Sequence, residues 1–163
     1  MAMWIRNLHR RIRIDTRYLR RVAAGTLAAV APRGAECSLI LIGDGRMAAL
    51  NQAYRGVPQP TDVLAFPAGE GGGKAAPVAA AAGGPYLGDL AISLETAQRQ
   101  AARRGHPLER EAALLLIHGI LHLVGYDHRT LAQRRRMWRL QGRLLRAHAG
   151  AVRRGAGRPL VRP

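Results

Sequence analysis

The chain has 163 residues, 48% of them hydrophobic, which is enough for one domain of ordinary size with a buried core. Its 26 lysine and arginine residues against 10 acidic residues give a net charge of +16, which favours a polyanionic partner, either nucleic acid or an acidic membrane surface. The single cysteine, Cys37, excludes a framework of intrachain disulfides and indicates a reducing compartment. The longest strongly apolar run, residues 112–124, is too short to span a bilayer, and residues 1–15 lack the apolar core of a secretory signal.

Alternating apolar and basic residues predict a strand with a charged face from Met3 to Ile14. Asp15 or Thr16 can cap the helix that follows, and apolar residues at helical spacing extend this helix to about residue 31. Three shorter elements are predicted next, namely a buried strand over residues 37–42, a helix that Asp44 caps, and a strand over residues 61–66.

Residues 68–85 are almost entirely alanine, glycine and proline, without periodicity. We expect a flexible surface insertion here rather than a linker between two domains, because the segments on either side lack separate cores. A strand over residues 87–92 is predicted after the insertion. Ser93 can cap the next helix, which is expected to reach Arg104 and to end at Gly105.

A strongly apolar helix is predicted from Pro107, at its first position, to Val124. Because this helix is apolar on nearly every side, it should run through the middle of the domain. The last helix, over residues 130–147, has an apolar half and an arginine half. The apolar half comprises Leu131, Met137, Leu140, Leu144 and Leu145, and the other half carries Arg135, Arg136, Arg139, Arg143 and Arg146. Together the elements predict one α+β domain over residues 1–150 around a small sheet, followed by a basic, disordered tail over residues 151–163.

Three histidines occur at metal-ligand spacing in the segment His118-Gly-Ile-Leu-His122-Leu-Val-Gly125-Tyr-Asp-His128. His118 and His122 lie four residues apart on a predicted helix, so both imidazoles project from one face and can share an ion. Gly125 permits the left-handed turn that brings His128 back towards the pair. Three neutral nitrogens suit Zn²⁺ and leave a fourth position for water. The alternative is a separate hydrogen-bond partner for each ring, but a shared ion offsets all three desolvation costs together.

The histidine spacing equals that of the zinc-protease motif H-E-x-x-H-x-x-G-x-x-H, with Gly119 in place of the glutamate. In those proteases the glutamate carries the proton of the zinc-bound water to the leaving amine, which glycine cannot do. Peptidase activity is therefore disfavoured although the ion site is kept. A bound zinc ion can still act as a Lewis acid on a phosphoryl oxygen.

Arg55 and Lys74 are the only basic residues between positions 47 and 98. An isolated arginine at a helix end, just before a core strand, is suited to clamp a phosphate with its planar guanidinium. An ion pair with Asp62 or Asp89 that holds the loop would explain Arg55 equally well. The sequence leaves both interpretations open.

The motifs together resemble those of the YbeY family of bacterial endoribonucleases and rRNA maturation factors. The resemblance covers roughly residues 36–130 and rests on the histidine segment, Leu50-Asn51 to Arg55, Thr61-Asp62-Val63-Leu64 and Leu87-Gly88-Asp89, which stand in the family's order. It implies a small mixed four-stranded sheet packed with about five helices. It also implies one zinc ion bound by His118, His122 and His128, and a functionally important arginine at Arg55.

The same resemblance implies a zinc-dependent endoribonuclease that cleaves single-stranded RNA in the bacterial cytoplasm, in 16S rRNA maturation and ribosome quality control. The implied partners are rRNA, the small ribosomal subunit with its proteins, and an assembly GTPase. Neither a membrane nor a nucleotide cofactor is expected.

In the corresponding mechanism, zinc polarises a phosphoryl oxygen or supplies hydroxide, and Arg55 offsets charge on the phosphorus. We expect Asp127 to orient a histidine ligand rather than to carry a proton, because a carboxylate beside a cation stays ionised. The alternative function is a non-catalytic, zinc-stabilised RNA-binding assembly factor in which Cys37 or an acid closes the fourth position. Arginines at both ends of the chain would hold RNA phosphates, and with aromatic residues at 4% no base-stacking platform is evident.

Overall fold

A mixed sheet of four strands organises the computed structural model, which describes residues 3–69 and 83–150. The strands are β1 (Met3–Asn7), β2 (Glu36–Ile42), β3 (Val63–Pro67) and β4 (Tyr86–Ser93). Their order is β1-β2-β4-β3, in which β1, β2 and β4 run parallel and β3 pairs antiparallel with β4.

Five helices complete the described part of the chain. They are α1 (Thr16–Val30), α2 (Asp44–Arg55), α3 (Leu94–Arg104), α4 (Leu108–Leu123) and α5 (Leu131–His148). The predicted α+β class, with a mixed four-stranded sheet and five helices, is confirmed. Within residues 3–69 and 83–150, no helix is long and apolar enough to cross a membrane.

Alternation of side chains along the strands divides the core into two layers. Leu39 and Leu41 of β2 belong to the larger cluster, which packs against α1 and α4. Ile42 lies on the opposite face and packs with Met47 of α2. The sheet is therefore covered on both faces, and α2 lies on the face opposite to α4.

Helix α4 runs through the middle of the larger layer, as its composition predicts. It contacts α1, α3 and α5 along its sides and β3 and β4 beneath it. At its first turn the fully buried carboxylate of Glu111 pairs with His106, and its second oxygen lies 3.4 Å from Arg104 at the end of α3. These contacts fix the start of α4 beside the end of α3.

The N-terminal strand is shorter than predicted, because β1 ends at Asn7 and not at Ile14. Nδ1 of His9 accepts hydrogen bonds from the backbone N–H groups of Arg11 and Ile12, at 3.2 and 2.9 Å. This local turn uses N–H groups that a continuing strand would need for the sheet.

Three expectations at helix starts were wrong in detail. The N-cap of α2 is Gly43, and Asp44 is the first helical residue. Pro107 is the N-cap of α4 rather than its first residue. Leu131, expected on the apolar half of α5, is 59% exposed, because it lies at the start of this helix and the first buried residue is Met137.

The predicted insertion over 68–85 falls mostly outside the described residues, and the predicted tail over 151–163 falls entirely outside them. The single domain over 1–150 stays a prediction.

Candidate metal centre and substrate cleft

Two of the three histidines project from the last two turns of α4. The Nε2 atoms of His118 and His122 lie 3.1 Å apart, and the two rings meet edge to face with centroids 4.7 Å apart. Residues four apart on a helix share a face, which is why these rings meet. Both side chains are half-buried.

The chain reverses directly after α4 and returns the third histidine to the pair. Gly125 has a φ of +98°, a region that disfavours residues with a Cβ, and its N–H donates to the carbonyl of His122 at 3.0 Å. The ring of His128 then lies 4.9 Å from His122 and 5.9 Å from His118, centroid to centroid. One nitrogen from each ring falls within 4.8 Å of the other two.

The electrostatics of the cluster favour neutral rings at His118 and His122. Burial, together with the neighbouring His118 and His128, lowers the pKa of His122 to about 4. Burial also lowers the pKa of His118 and outweighs the opposite effect of its hydrogen bond with Gln141. Neutral imidazoles have a free lone pair, so the donor set fits one divalent ion of the zinc type. Among the described residues, the group contains no cysteine or acid.

Gln141 of α5 is a contributor that the sequence interpretation missed. Its Oε1 lies 3.0 Å from Nδ1 of His118 and accepts that N–H, which leaves the lone pair of the ring on Nε2, the atom that faces His122. The available signal was a polar residue on the buried stripe of α5, four positions from both Met137 and Leu145.

The carboxylate of Asp127 does not hydrogen-bond to a histidine ring among the described residues, although we expected it to orient one. Its Oδ1 accepts the backbone N–H of His128 at 2.7 Å, and its Oδ2 lies 2.9 Å from Nε of Arg129. The carboxylate therefore shapes the loop that carries His128, and the described ring partner in this cluster is Gln141.

The histidines form one wall of a cleft of about 670 Å³, which we call the histidine cleft. Arg55, at the end of α2, lines the same cleft, together with Thr61, Asp62 and Val63 before and within β3. Gly56 ends α2 in a left-handed conformation with a φ of +68°. The structure thus places Arg55 and the three histidines around one space.

The two acids proposed as alternative partners of Arg55 are engaged elsewhere. Asp62 accepts the N–H of Val63 at 2.7 Å and an N–H of Gln100 at 3.1 Å. Asp89 accepts hydrogen bonds from the hydroxyls of Ser38 and Tyr86. Within the described ranges no acidic group pairs with Arg55, whose exposed guanidinium is available to an anion in the cleft.

At Gly119 the helix α4 packs directly against side chains of the sheet. A Cβ built there would lie 2.7 Å from Cδ2 of the buried Leu90 and 3.4 Å from Cγ2 of Val63. The position that holds glutamate in the zinc-protease motif therefore has no space for a side chain here. This contact gives a packing reason for the glycine and agrees with the expectation that peptidase activity is disfavoured.

Cys37 lies in the core, not in the cleft. It is fully buried in β2, and burial, with contributions from Asp89 and Glu36, raises the pKa of its thiol to about 12. Cys37 therefore does not supply a fourth ligand to the histidine cluster.

Comparison with known proteins agrees with these features. A family model described as Endoribonuclease YbeY matches residues 5–149. The chain belongs to the YbeY family. The predicted family assignment is therefore confirmed.

Individual YbeY relatives cover most of the chain. A protein of Anaeromyxobacter sp. named Endoribonuclease YbeY is 42% identical over 159 residues, which is 96% of this chain and 78% of the relative. One of the same name from Pelotomaculum thermopropionicum is 42% identical over 149 residues, 89% of this chain and 95% of the relative. A solution structure from Thermotoga maritima matches with a TM-score of 0.53 at 21% identity, covering 88% of this chain and 89% of that one, and supports the fold.

Proposed function

We propose that this YbeY-family protein is a zinc-dependent endoribonuclease that cleaves single-stranded RNA. The name of its relatives, Endoribonuclease YbeY, supports the reaction class. The observation that carries the proposal is the histidine cleft itself, where three imidazoles face the same space as an arginine that has no acidic partner among the described residues. That combination suits an anionic phosphodiester, because a divalent ion and a guanidinium would share the space that it enters.

His118, His122 and His128 would hold the ion, each through one ring nitrogen. When bound, such an ion supplies a Lewis acid and lowers the pKa of water. Gln141 keeps the proton of His118 on Nδ1, so that Nε2 remains a donor to the ion. The loop that Asp127 braces keeps His128 beside the pair, although His128 itself is exposed.

Arg55 would bind the non-bridging oxygens of the scissile phosphate. Its planar guanidinium presents several N–H donors, and these donors gain strength as negative charge builds up on the phosphoryl oxygens. Val63 and Ala65 of β3 and Leu123 of α4 give the cleft an apolar side, which excludes water from part of the phosphate's surroundings.

The biological setting that we propose is 16S rRNA maturation and ribosome quality control in the bacterial cytoplasm. The small ribosomal subunit, its proteins and an assembly GTPase are the proposed partners. A net charge of +16 supports a polyanionic substrate, because guanidinium–phosphate contacts give affinity that does not depend on sequence.

The test combines metal content with cleavage of a labelled single-stranded RNA by highly purified protein. His118→Ala should lose both the ion and the cleavage. His148→Ala, made at a histidine that lies against Gly25 outside the cluster, should keep both when purified in the same way. Equal cleavage by all three proteins would reveal a contaminating nuclease and overturn the proposal. Binding of metal and RNA without cleavage by the wild type would instead favour the assembly factor.

A further inference from the structure

Trp138 projects from the arginine-covered side of α5 with 59% of its surface exposed. It lines a shallow groove of about 590 Å³, here called the Trp138 groove. The other lining residues are Arg136, Arg139, Gly142, Arg143 and Arg146. The core does not need the indole ring, because Met137, Leu144 and Leu145 form the buried side of this helix.

Gly142 lines the groove without a side chain. A glycine inside a helix is destabilising relative to alanine, so it calls for a local reason. Packing does not supply one, because a Cβ at Gly142 would meet only Nη1 of Arg146, at 3.4 Å. Trp138, Gly142 and Arg146 follow one another at four-residue spacing, so the missing side chain leaves a gap between an aromatic ring and a guanidinium.

Shared lining residues link the Trp138 groove to the histidine cleft. Arg136 lines the groove and also a second depression of about 460 Å³, which it shares with Gly125, Tyr126 and Asp127. The last three of these residues line the histidine cleft as well. Cζ of Arg136 lies 6.0 Å from the centroid of the Tyr126 ring, so this second depression also contains a guanidinium next to an aromatic ring.

We infer that this surface is a second RNA-binding site, in which a base of a single strand stacks on Trp138 while neighbouring phosphates bind Arg139, Arg143 and Arg146. The strand would continue past Arg136 and Tyr126 into the histidine cleft. The inference rests on the proposed function and adds to it a base-stacking anchor that the low aromatic content had argued against. An aromatic ring among arginines is the combination by which proteins hold single strands without reading their sequence.

Charge and burial favour RNA over a lipid surface. Helix α5 has no acidic residue, so an anion meets uniform positive charge along its exposed side. A helix that lies in a membrane interface inserts an apolar face, but the apolar face of α5 is packed in the core. Leu131 and Trp138 are its exposed large apolar residues, and they lie two turns apart.

Fluorescence offers a direct test, because Trp4 and Trp138 are the only tryptophans. The Trp4→Phe protein therefore reports on Trp138 alone. Titration with a short single-stranded oligoribonucleotide, methylated at its 2′-hydroxyls to prevent cleavage, should quench the emission to saturation. Inorganic polyphosphate, which carries the charge without bases, should leave the emission unchanged.

Substitutions separate stacking from charge. Trp138→Ala should weaken binding of the oligonucleotide about tenfold, Trp138→Phe should restore most of it, and Trp4→Ala, at an exposed tryptophan on β1, should bind like the wild type. Arg143→Gln should reduce the slope of log affinity against log salt by about 0.7, the value for one phosphate contact on a single strand. Trp138→Ala should leave that slope unchanged.

The outcomes distinguish this inference from the proposed function. If the wild type cleaves RNA while Trp138→Ala binds the oligonucleotide as tightly as the wild type, the stacking site is refuted and the endoribonuclease stands. Failure of the wild type to bind or cleave RNA would refute the proposed function, and the inference with it. Quenching of Trp138 by polyglutamate but not by the oligonucleotide would assign the surface to an acidic protein and overturn the inference.

Discussion

Nδ1 of His118 lies 3.0 Å from Oε1 of Gln141, and this contact joins the histidine-bearing end of α4 to the middle of α5. A carbonyl oxygen can only accept, so the ring must donate its Nδ1 proton, and Nε2 keeps the lone pair that an ion needs. The position of α5 therefore controls both the tautomer and the orientation of a histidine on another helix.

Gln141→Leu should lower the affinity for the ion about 10- to 100-fold, the usual effect of removing a hydrogen-bond partner of a ligand. Gln141→Glu should retain the affinity, because a carboxylate also accepts the Nδ1 proton. Competition with a chromophoric chelator measures the dissociation constant, and the absorption of the Co²⁺-substituted protein reports ligand geometry. Gln98→Leu, at an exposed position of α3, is the matched control. Equal affinities for Gln141→Leu and the control would mean that Gln141 does not position His118.

Gly119 and Gly142 provide a matched pair of helix glycines with opposite surroundings. A Cβ at Gly119 would overlap the buried Leu90, whereas a Cβ at Gly142 would meet only the flexible end of Arg146. Gly119→Ala should lower the free energy of unfolding by about 1–2 kcal/mol, since overpacking outweighs the gain in helix propensity. Gly142→Ala should raise it by up to about 1 kcal/mol. Urea denaturation measures both changes in the free energy of unfolding. Stabilisation by both substitutions would show that the sheet shifts to accommodate the new methyl group at Gly119.

Local signals account for the parts of the fold that the sequence predicts well. Asp15 accepts the N–H groups of Arg17 and Tyr18 at the start of α1, so a cap that is visible in the sequence fixes this boundary. Ser93 and Gly105 bound α3 as predicted, the latter with a φ of +68°. The histidine pair follows from four-residue spacing alone.

Contacts between distant segments explain what the sequence could not provide. The partner of His118 depends on how α5 packs against α4, which no local pattern records. Asp127 is adjacent in sequence to His128, yet its carboxylate pairs with Arg129. The exposure of Trp138 likewise became visible only when the buried side of α5 was known.

Asp44 fastens the first turn of α2, the helix that carries Arg55. Its Oδ1 accepts hydrogen bonds from the hydroxyls of Ser93 and Thr96, at 2.7 and 2.6 Å, and its Oδ2 lies 2.8 Å from Arg99. Burial raises the pKa of the carboxyl, but the hydrogen bonds from Thr96, Ser93 and Arg99 outweigh burial and hold the pKa below its usual value.

A lowered pKa in the folded state gives stability that is present above the unfolded pKa, about 3.9, and is lost as the pH falls through the folded pKa. Asp44→Asn should therefore cost about 1 kcal/mol at pH 7, and the difference from the wild type should shrink towards pH 3. Unfolding by urea at several pH values measures this difference. Asp15→Asn is a suitable control, because asparagine caps a helix as well as aspartate does. A difference that is independent of pH would contradict the role given to the carboxylate.

The thiol of Cys37 should not react with a disulfide reagent in the native protein. With a pKa of about 12, only about one thiol in 10⁴ is ionised at pH 8, and the side chain is fully buried. Removal of the metal with a chelator should leave this protection intact, while urea should expose the thiol. Faster labelling after chelation of a protein that remains folded would identify Cys37 as a ligand and restore the structural-zinc interpretation.

Arg55 is the residue whose substitution separates chemistry from metal binding. Its guanidinium lines the histidine cleft without an acidic partner among the described residues, so its loss leaves no buried charge unpaired. Arg55→Ala should reduce RNA cleavage by about 10²-fold or more, as loss of a donor to a developing oxyanion does, and should keep the metal content of the wild type. Arg55→Lys should recover part of the rate, because a lysine supplies the charge but not the planar fork.

Arg46→Ala, at an exposed position near the other end of α2, is the control for a general loss of positive charge. Loss of metal together with activity in Arg55→Ala would make the arginine a structural element of the cleft. An unchanged rate would remove Arg55 from the mechanism and leave the electrostatic stabilisation to the ion alone.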